Sequence, residues 1–249
     1  MLTLARALTT LAVAAPLVLA GPTAGAAAGG PGDYPVHGID TSHHNHPGNK
    51  PFDWKKLAAS GQKFIAIKAT QGSRTGYVDP WFTRDLAGAR SVRMIHTAYH
   101  YFEHDQDGVA QADHFLRTVK KQNLTGAHPY ELPLELDLEG SCKASPSALQ
   151  ARVLAFLRRV KAVTGVEPTI YTQKSFIDRC MAGTKALGRY RVRLARYNTS
   201  PPPPIPGGTG WSFWQFTESA AIPGIPDRTV DENVFVGDYA KLKRLANIR

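Results

Sequence analysis

Only two cysteines occur in the chain, Cys142 and Cys180. That scarcity excludes a disulfide-dense scaffold and a four-cysteine zinc site. No repeat with the period of a solenoid or propeller is present. No G-x-G-x-x-G follows the first β-like run, so a dinucleotide site has no support. A G-x-S-x-G elbow and an H-E-x-x-H helix are also missing, which removes two common hydrolytic designs. Negative charge is the scarcer sign: 20 acids stand against 30 lysines and arginines, a formal net charge of +10. An anionic partner is therefore favoured, either a wall polymer or a lipid surface. The basic residues are dispersed, as in RRVK (158–161) and KLKR (241–244), and are not interleaved with aromatics. No nucleic-acid partner is expected.

Long apolar runs are confined to the start. Residues 1–26 carry one early Arg6, an apolar stretch through Leu19, and then Ala24-Gly25-Ala26, an A-x-A cleavage pattern. Pro16 and Gly21 keep the stretch short of the about 20 residues that a membrane span needs. Residues 1–26 therefore read as a signal peptide cut after Ala26, and the protein as secreted, with no membrane span. Losing Arg6 changes the charge from +10 to 10 − 1 = +9. Residues 27–35, rich in Gly and Pro, read as a flexible lead-in, and 36–249 as one catalytic domain. In an oxidising compartment Cys142 and Cys180 are expected to pair.

From residue 36, apolar β-like runs alternate with helical patterns. The runs are 36–40, 64–70, 94–102, 132–139, 168–172, 191–197 and 211–216. Asp53, Asp107, Ser145 and Asp238 stand where helix N-caps would, and Pro80 and Pro146 suit first helical turns. Alternation of this kind indicates parallel β/α units. The expected fold is an α/β, irregular (β/α) barrel, TIM-like with missing helices in its C-terminal part. NTSPPPPIPGGTG (198–210) cannot hold a regular helix. An open doubly wound sheet is the alternative.

The run LPLELDLEG (132–140) carries the chemistry. As a strand it sets Leu134, Leu136 and Leu138 on one face and Glu135, Asp137 and Glu139 on the other. In a barrel the leucines suit the helix side and the acids point inward, with Glu139 nearest the C-terminal end, where barrel enzymes do chemistry. An acidic face in water is the ordinary alternative for such a strand. Asp40 at the end of the first run and Asp231 near the C-terminus favour convergence instead. Asp137 and Glu139 lie roughly 7 Å apart between Cα atoms. Close carboxylates cannot both ionise easily, so one keeps a proton and can act as a general acid. Paired carboxylates in an open cleft suit glycoside hydrolysis. Glu135 shares that face but lies deeper, and a buried Arg or Lys partner is expected for it.

Nine segments in order resemble glycoside hydrolase family 25, the secreted lysozymes or N-acetylmuramidases. They are GID with SHHN (38–45), FIAIKATQG with YVDPWF (64–82), AYHYF (98–102), AQADHF (110–115), ELDLEG (135–140), PTIYT (168–172), LARY (194–197), FWQF (213–216) and VDENVF (230–235). The resemblance implies an irregular α/β barrel and cleavage of the β-1,4 bond between N-acetylmuramic acid and N-acetylglucosamine in bacterial cell-wall peptidoglycan. It needs no cofactor and no metal, and a monomer is expected. Glu139 becomes the general acid and Asp137 its D-x-E partner. Asp137 either orients the substrate's 2-acetamido group as nucleophile, with retention, or attacks directly. Asp40 and Asp231 match the other acidic positions of the site. Tyr99 and Trp214 are expected to line the sugar cleft. Gln71 stands where the family's KATEG has Glu, and is expected at the substrate. A non-catalytic peptidoglycan-binding module is the runner-up, and a chitinase-like barrel a third reading.

Other groups have plainer readings. His43, His44 and His46 match no common metal spacing. Asp107 suits a helix cap. Arg196 could pair with a buried acid. NLT (123–125) and NTS (198–200) are glycosylation sequons that matter only in a eukaryotic secretory path.

Overall fold

The computed structural model describes residues 29–249. The expected signal peptide, residues 1–26, lies outside the described residues.

Eight strands close into a barrel. In chain order the elements are β1 (His37–Thr41), α1 (Trp54–Ala59), β2 (Phe64–Gln71), β3 (Tyr77–Val78), α2 (Phe82–Ser91), β4 (Ile95–Tyr101), α3 (Gly108–Lys120) and β5 (Glu135–Leu138). There follow α4 (Pro146–Thr164), β6 (Thr169–Thr172), α5 (Lys174–Cys180), β7 (Val192–Ala195), β8 (Phe213–Ala220), β9 (Val230–Phe235) and α6 (Tyr239–Leu245). The sheet runs β1-β9-β8-β7-β6-β5-β4-β2, and β1 pairs with β2 to close it. β3 is a two-residue hairpin arm on the outer end of β2. Strands β1, β2 and β4 to β8 pair in parallel, while β9 runs antiparallel to both neighbours. No helix joins β7 to β8 or β8 to β9, so helices are missing from the C-terminal part until α6, as expected.

Local chemistry sets the helices. Asp53, Asp107, Ser145 and Asp238 each accept a backbone N–H of the first turn. α4 buries Leu149, Val153, Phe156, Leu157 and Val160 at helical spacing and stops at Gly165, which has φ +76°. Leu134, Leu136 and Leu138 are buried in the shell between strands and helices. Each contributes roughly 1.5–3 kcal/mol by leaving water.

Inside the barrel, alternation divides every strand into an inner and an outer set. The floor is hydrocarbon: Val36, Phe64, Ile95, Leu132, Phe213 and Phe235 form a separate buried cluster that α6 caps with Leu242. Gly38 makes room for it, because a Cβ there would meet the Phe64 ring at 2.4 Å. The described part of the expected lead-in, residues 29–35, makes local contacts and packs on the barrel. Residues 31–33 form a 3-10 turn, and Asp33 accepts the N–H groups of Gly29 and Gly30. Tyr34 then packs on Trp211 and Trp214, with ring centroids 5.3 and 6.1 Å away, and that aromatic burial anchors the segment. Cys142 and Cys180 are joined, their Cα atoms 5.2 Å apart, tying the loop after β5 to the end of α5.

Candidate active site

The barrel mouth is built in layers of inward-facing side chains. Just above the hydrocarbon floor sits Arg193 of β7, a fully buried guanidinium lying 5.7 Å from the Phe213 ring centroid. Its Nε donates to Glu135 Oε2 at 3.1 Å, and its Nη1 donates to Asp40 Oδ2 at 3.2 Å and to Asn233 Oδ1 at 3.3 Å. The expected cationic partner of Glu135 is therefore Arg193. Arg196, the other arginine considered for an acid, donates to the backbone oxygen of Pro201 instead. Two residues of extended chain past Arg193 lie Ala195 and the strand's end, so Arg196 has left the barrel interior.

Asp40 is held from three sides. Gln215 Nε2 donates to its Oδ2 at 3.0 Å, Asn233 Nδ2 to the same oxygen at 2.7 Å, and Arg193 completes the set. Gln215 in turn accepts from the hydroxyls of Tyr171 and Tyr197, both at 2.9 Å. Asp231 stands opposite Asp40 in the β1–β9 register. Burial, and then the charge and hydrogen bond of Asp40, push Asp231 up to about 9. At neutral pH Asp231 keeps a proton that it can share with Asp40.

Above this layer the mouth opens as a cleft of about 330 Å³. Asp137, Glu139, Asp40, Asp231, Tyr99 and Tyr171 line it, together with Glu135, Gln173, Tyr197, Gln215 and Glu218. Asp137 and Glu139 share the inward face, and Gly140, with φ +91°, turns the chain directly after Glu139. Burial raises Asp137 well above the carboxylate range, and the Glu139 charge adds to this. Burial raises Glu139 too, followed by the Asp40 charge; Lys68 and the Tyr171 hydroxyl oppose the rise. Glu135 is pushed up to about 7 by burial, with Arg193 pulling the other way. One atom stands out. Asp137 Oδ1 is buried and has no hydrogen-bond partner among the described residues, although a buried acceptor left unpaired is costly.

Two expected cleft residues lie elsewhere. Trp214 is fully buried, and its Nε1 donates to the Arg196 carbonyl at 2.8 Å. Its neighbours Phe213 and Gln215 point into the barrel, so strand alternation turns Trp214 outward, away from the cleft. Gln71 is the last residue of β2 and pairs with Tyr77 of the β3 arm, at the rim and outside the cleft lining. It accepts from Lys68 Nζ at 3.0 Å and donates to Glu103 Oε1 at 2.9 Å, while Lys143 neutralises Glu103 from the other side. Lys68 lies 4.9 Å from the Tyr101 ring centroid and lowers both Asp137 and Glu139. Gln71 thus bears on the acids through Lys68.

His43, His46 and His100 are held by hydrogen bonds and stacking, while His44 is exposed. His46 stacks between Phe52 and Trp81 and bonds Asp85 at 2.9 Å, and His43 bonds Asp79 at 2.8 Å. His100 faces outward beneath Phe115 and Phe156 and bonds Thr70 and Gln111. Arg193, Asn233, Gln215, Tyr197 and Lys68 were missed as site residues. The in-phase alternation of VRLA would have found Arg193, since residues 193 and 195 share one strand face; Tyr197 lies on a loop and carries no such signal.

Comparisons with known proteins agree with the barrel fold. The family model described as "Glycosyl hydrolases family 25" matches residues 39–225. The protein YegX of Escherichia coli (strain K12) is 32% identical over 218 residues, covering 86% of this chain and 74% of that protein. An N,O-diacetylmuramidase of Arthroderma benhamiae is 33% identical over 219 residues, covering 85% and 86%. The crystal structure of the bacterial lysozyme from Streptomyces coelicolor superposes with a TM-score of 0.77 at 29% identity, covering 85% of this chain and 97% of that one.

Proposed function

The chain belongs to glycosyl hydrolase family 25 and is a muramidase, and from that premise we propose that Glu139 is its general acid and Asp137 its acetamide-orienting partner. The substrate is the β-1,4 bond between N-acetylmuramic acid and N-acetylglucosamine of peptidoglycan. Glu139, whose hold on a proton is raised by burial and by the Asp40 charge, donates a proton to the leaving glycosidic oxygen. The buried, unpaired Oδ1 of Asp137 carries this reading. A sugar 2-acetamido N–H supplies the donor that Oδ1 lacks, which turns the acetamide oxygen toward C1. That oxygen attacks as the C1–O bond breaks, giving a cyclic oxazolinium. Glu139, now a carboxylate, then deprotonates the water that opens it, with net retention. Asp40 and Asp231 share a proton beside the two acids, and Tyr99 and Tyr171 wall the cleft. The protein acts outside the cell as a monomer, after cleavage near Ala26; the apolar run of residues 1–26 supports export.

The test is incubation of bacterial walls with the protein and its Glu139→Gln variant, scoring new reducing ends. The variant loses them while still sedimenting with walls. Equal sugar release by both would falsify the acid assignment. A thiazoline analogue of the N-acetyl sugar separates the two roles of Asp137. Competitive inhibition supports the acetamide route; no inhibition, together with a trapped glycosyl-Asp137 ester, overturns it.

A further inference from the structure

A second groove, of about 700 Å³, lies at the opposite end of the barrel from the carboxylates. Tyr34, Tyr190, Arg191 and Trp211 line it, with Arg189 and Ser212 at its sides. It exists because no helix covers the β7–β8 crossover. Pro201–Pro204 hold that connection as loop, and the outer surface at the starts of β7 and β8 stays open.

The floor of this groove is aromatic. Tyr34, Trp211 and Trp214 pack as one cluster, with the Trp211 and Trp214 centroids 5.9 Å apart. Trp214 is sealed beneath, whereas Tyr34 and Trp211 are half-buried and line the groove. Rigid aromatic faces of this kind offer the apolar area on which the C–H face of a sugar ring packs.

Its charge is unbalanced in one place. Arg189 is satisfied, since it bonds Glu167 at 3.3 Å and lies 5.0 Å from the Tyr190 ring centroid. Arg191 is half-buried, and its guanidinium has no hydrogen bond and no carboxylate partner among the described residues. Burial alone acts on it, lowering its pKa with no acid to compensate. The groove lining contains no Asp or Glu. A half-buried cation whose surroundings offer no anion is complementary to an anionic group brought by a ligand. A guanidinium presents a planar fork that fits a carboxylate or phosphate through two parallel hydrogen bonds.

We propose that this groove is a second saccharide site, binding an anionic sugar unit of a wall glycan with the ring on Tyr34 and Trp211 and its carboxylate or phosphate on Arg191. Such a site, remote from the cleft, would hold the enzyme on the polymer while the mouth engages a strand. That consequence rests on the muramidase reading; the binding itself does not.

The experiment titrates the full chain with N-acetylmuramic acid, N-acetylglucosamine 6-phosphate and neutral N-acetylglucosamine, following the indole N–H resonances by NMR. Trp211 is assigned with Trp211→Phe. At least one anionic sugar should shift the Trp211 resonance saturably, at a concentration at least tenfold lower than the neutral sugar. A response to N-acetylmuramic acid alone assigns a carboxylate ligand, and one to the phosphate alone a phosphorylated glycan. Arg191→Gln should erase the preference, Arg191→Lys should keep part of it, and Tyr34→Ala should weaken every sugar. Equal response to the neutral sugar, or anionic sugars that leave Trp211 unmoved, overturns the proposal. Wall hydrolysis is not the readout, so this site and the catalytic assignment fail independently.

Discussion

At the barrel floor Phe64, Ile95, Leu132, Phe213 and Phe235 fill the interior with hydrocarbon, while at the mouth β1, β5 and β9 present Asp40, Glu135, Asp137 and Asp231. On β9 the floor residue Phe235 and the mouth residue Asp231 are only four positions apart. The floor gains stability by removing apolar surface from water, an effect without charge or direction. The mouth does the opposite: it places carboxyl groups together out of water and balances them with two buried cations, Arg193 beneath and Lys68 at the rim. The lesson is that the floor supplies rigidity and the mouth supplies raised carboxylates, with Arg193 as the hinge between the two chemistries.

The largest expected effect lies at the mouth. Glu139→Gln should lower wall hydrolysis by about 10²–10⁴-fold, the range for losing a general acid. Its urea midpoint should stay near that of the wild type, because Glu139 stands at the open cleft and makes no ion pair among the described residues.

Next come substitutions that separate hinge from floor. Arg193→Met strands Glu135 and Asp40 as buried charges, and it should destabilise by about 3–5 kcal/mol in urea unfolding. Phe64→Ala should destabilise by a similar amount, about 3–5 kcal/mol, through a cavity. The two losses differ in pH dependence. Stranded carboxylates have raised folded pKa values, so the Arg193→Met protein should be least destabilised at low pH and progressively worse as pH rises. The Phe64→Ala loss should be flat with pH. Adding Glu135→Gln to Arg193→Met should recover part of the loss; no recovery would deny that the stranded charge is its cause.

A smaller effect concerns the wild type itself. Glu135 at about 7 and Asp231 at about 9 both lie above ordinary unfolded carboxylate values. The folded state then binds more protons than the unfolded state across that interval. Stability linked to these groups is fully present below the unfolded values near pH 4 and is lost as pH rises through about 7 and about 9. Asp231→Asn should flatten the upper part of a melting-temperature profile. An unaltered slope would remove Asp231 from this account.

Gln71→Glu should have the least effect. The new carboxylate would sit on Lys68, whose charge lowers Asp137 and Glu139. With Lys68 compensated, the high-pH limb of wall hydrolysis should move up by about one pH unit or less, with little change in maximal rate. An unmoved limb counts against a charge role at this position.

The leucine–acid alternation of LPLELDLEG placed the acids inward and the leucines under helices, because a strand has only two faces and one was apolar throughout. The same rule, applied to FWQF, would have turned Trp214 outward once Gln215 was known to face in. Without that phase, an aromatic on a strand reads equally as core or cleft. Gln71 sits at the rim for another reason: a register shift between Lys68 and Thr70 and the short β3 arm carry the end of β2 there, and neither feature leaves a mark in FIAIKATQG.

By itself the sequence determined the strand–helix alternation, the helix-poor C-terminal part and the inward direction of Asp137 and Glu139. These follow from local rules: period, caps, and proline's missing N–H. Only the tertiary structure decided that Arg193, 58 residues from Glu135 and 153 from Asp40, is the cation between them. It alone decided that Asp231 faces Asp40, and that the uncovered β7–β8 crossover leaves Arg191 half-buried with no carboxylate partner among the described residues. Closing a barrel joins strands from both ends of the chain, and the balance of buried charge depends on which side chains then meet.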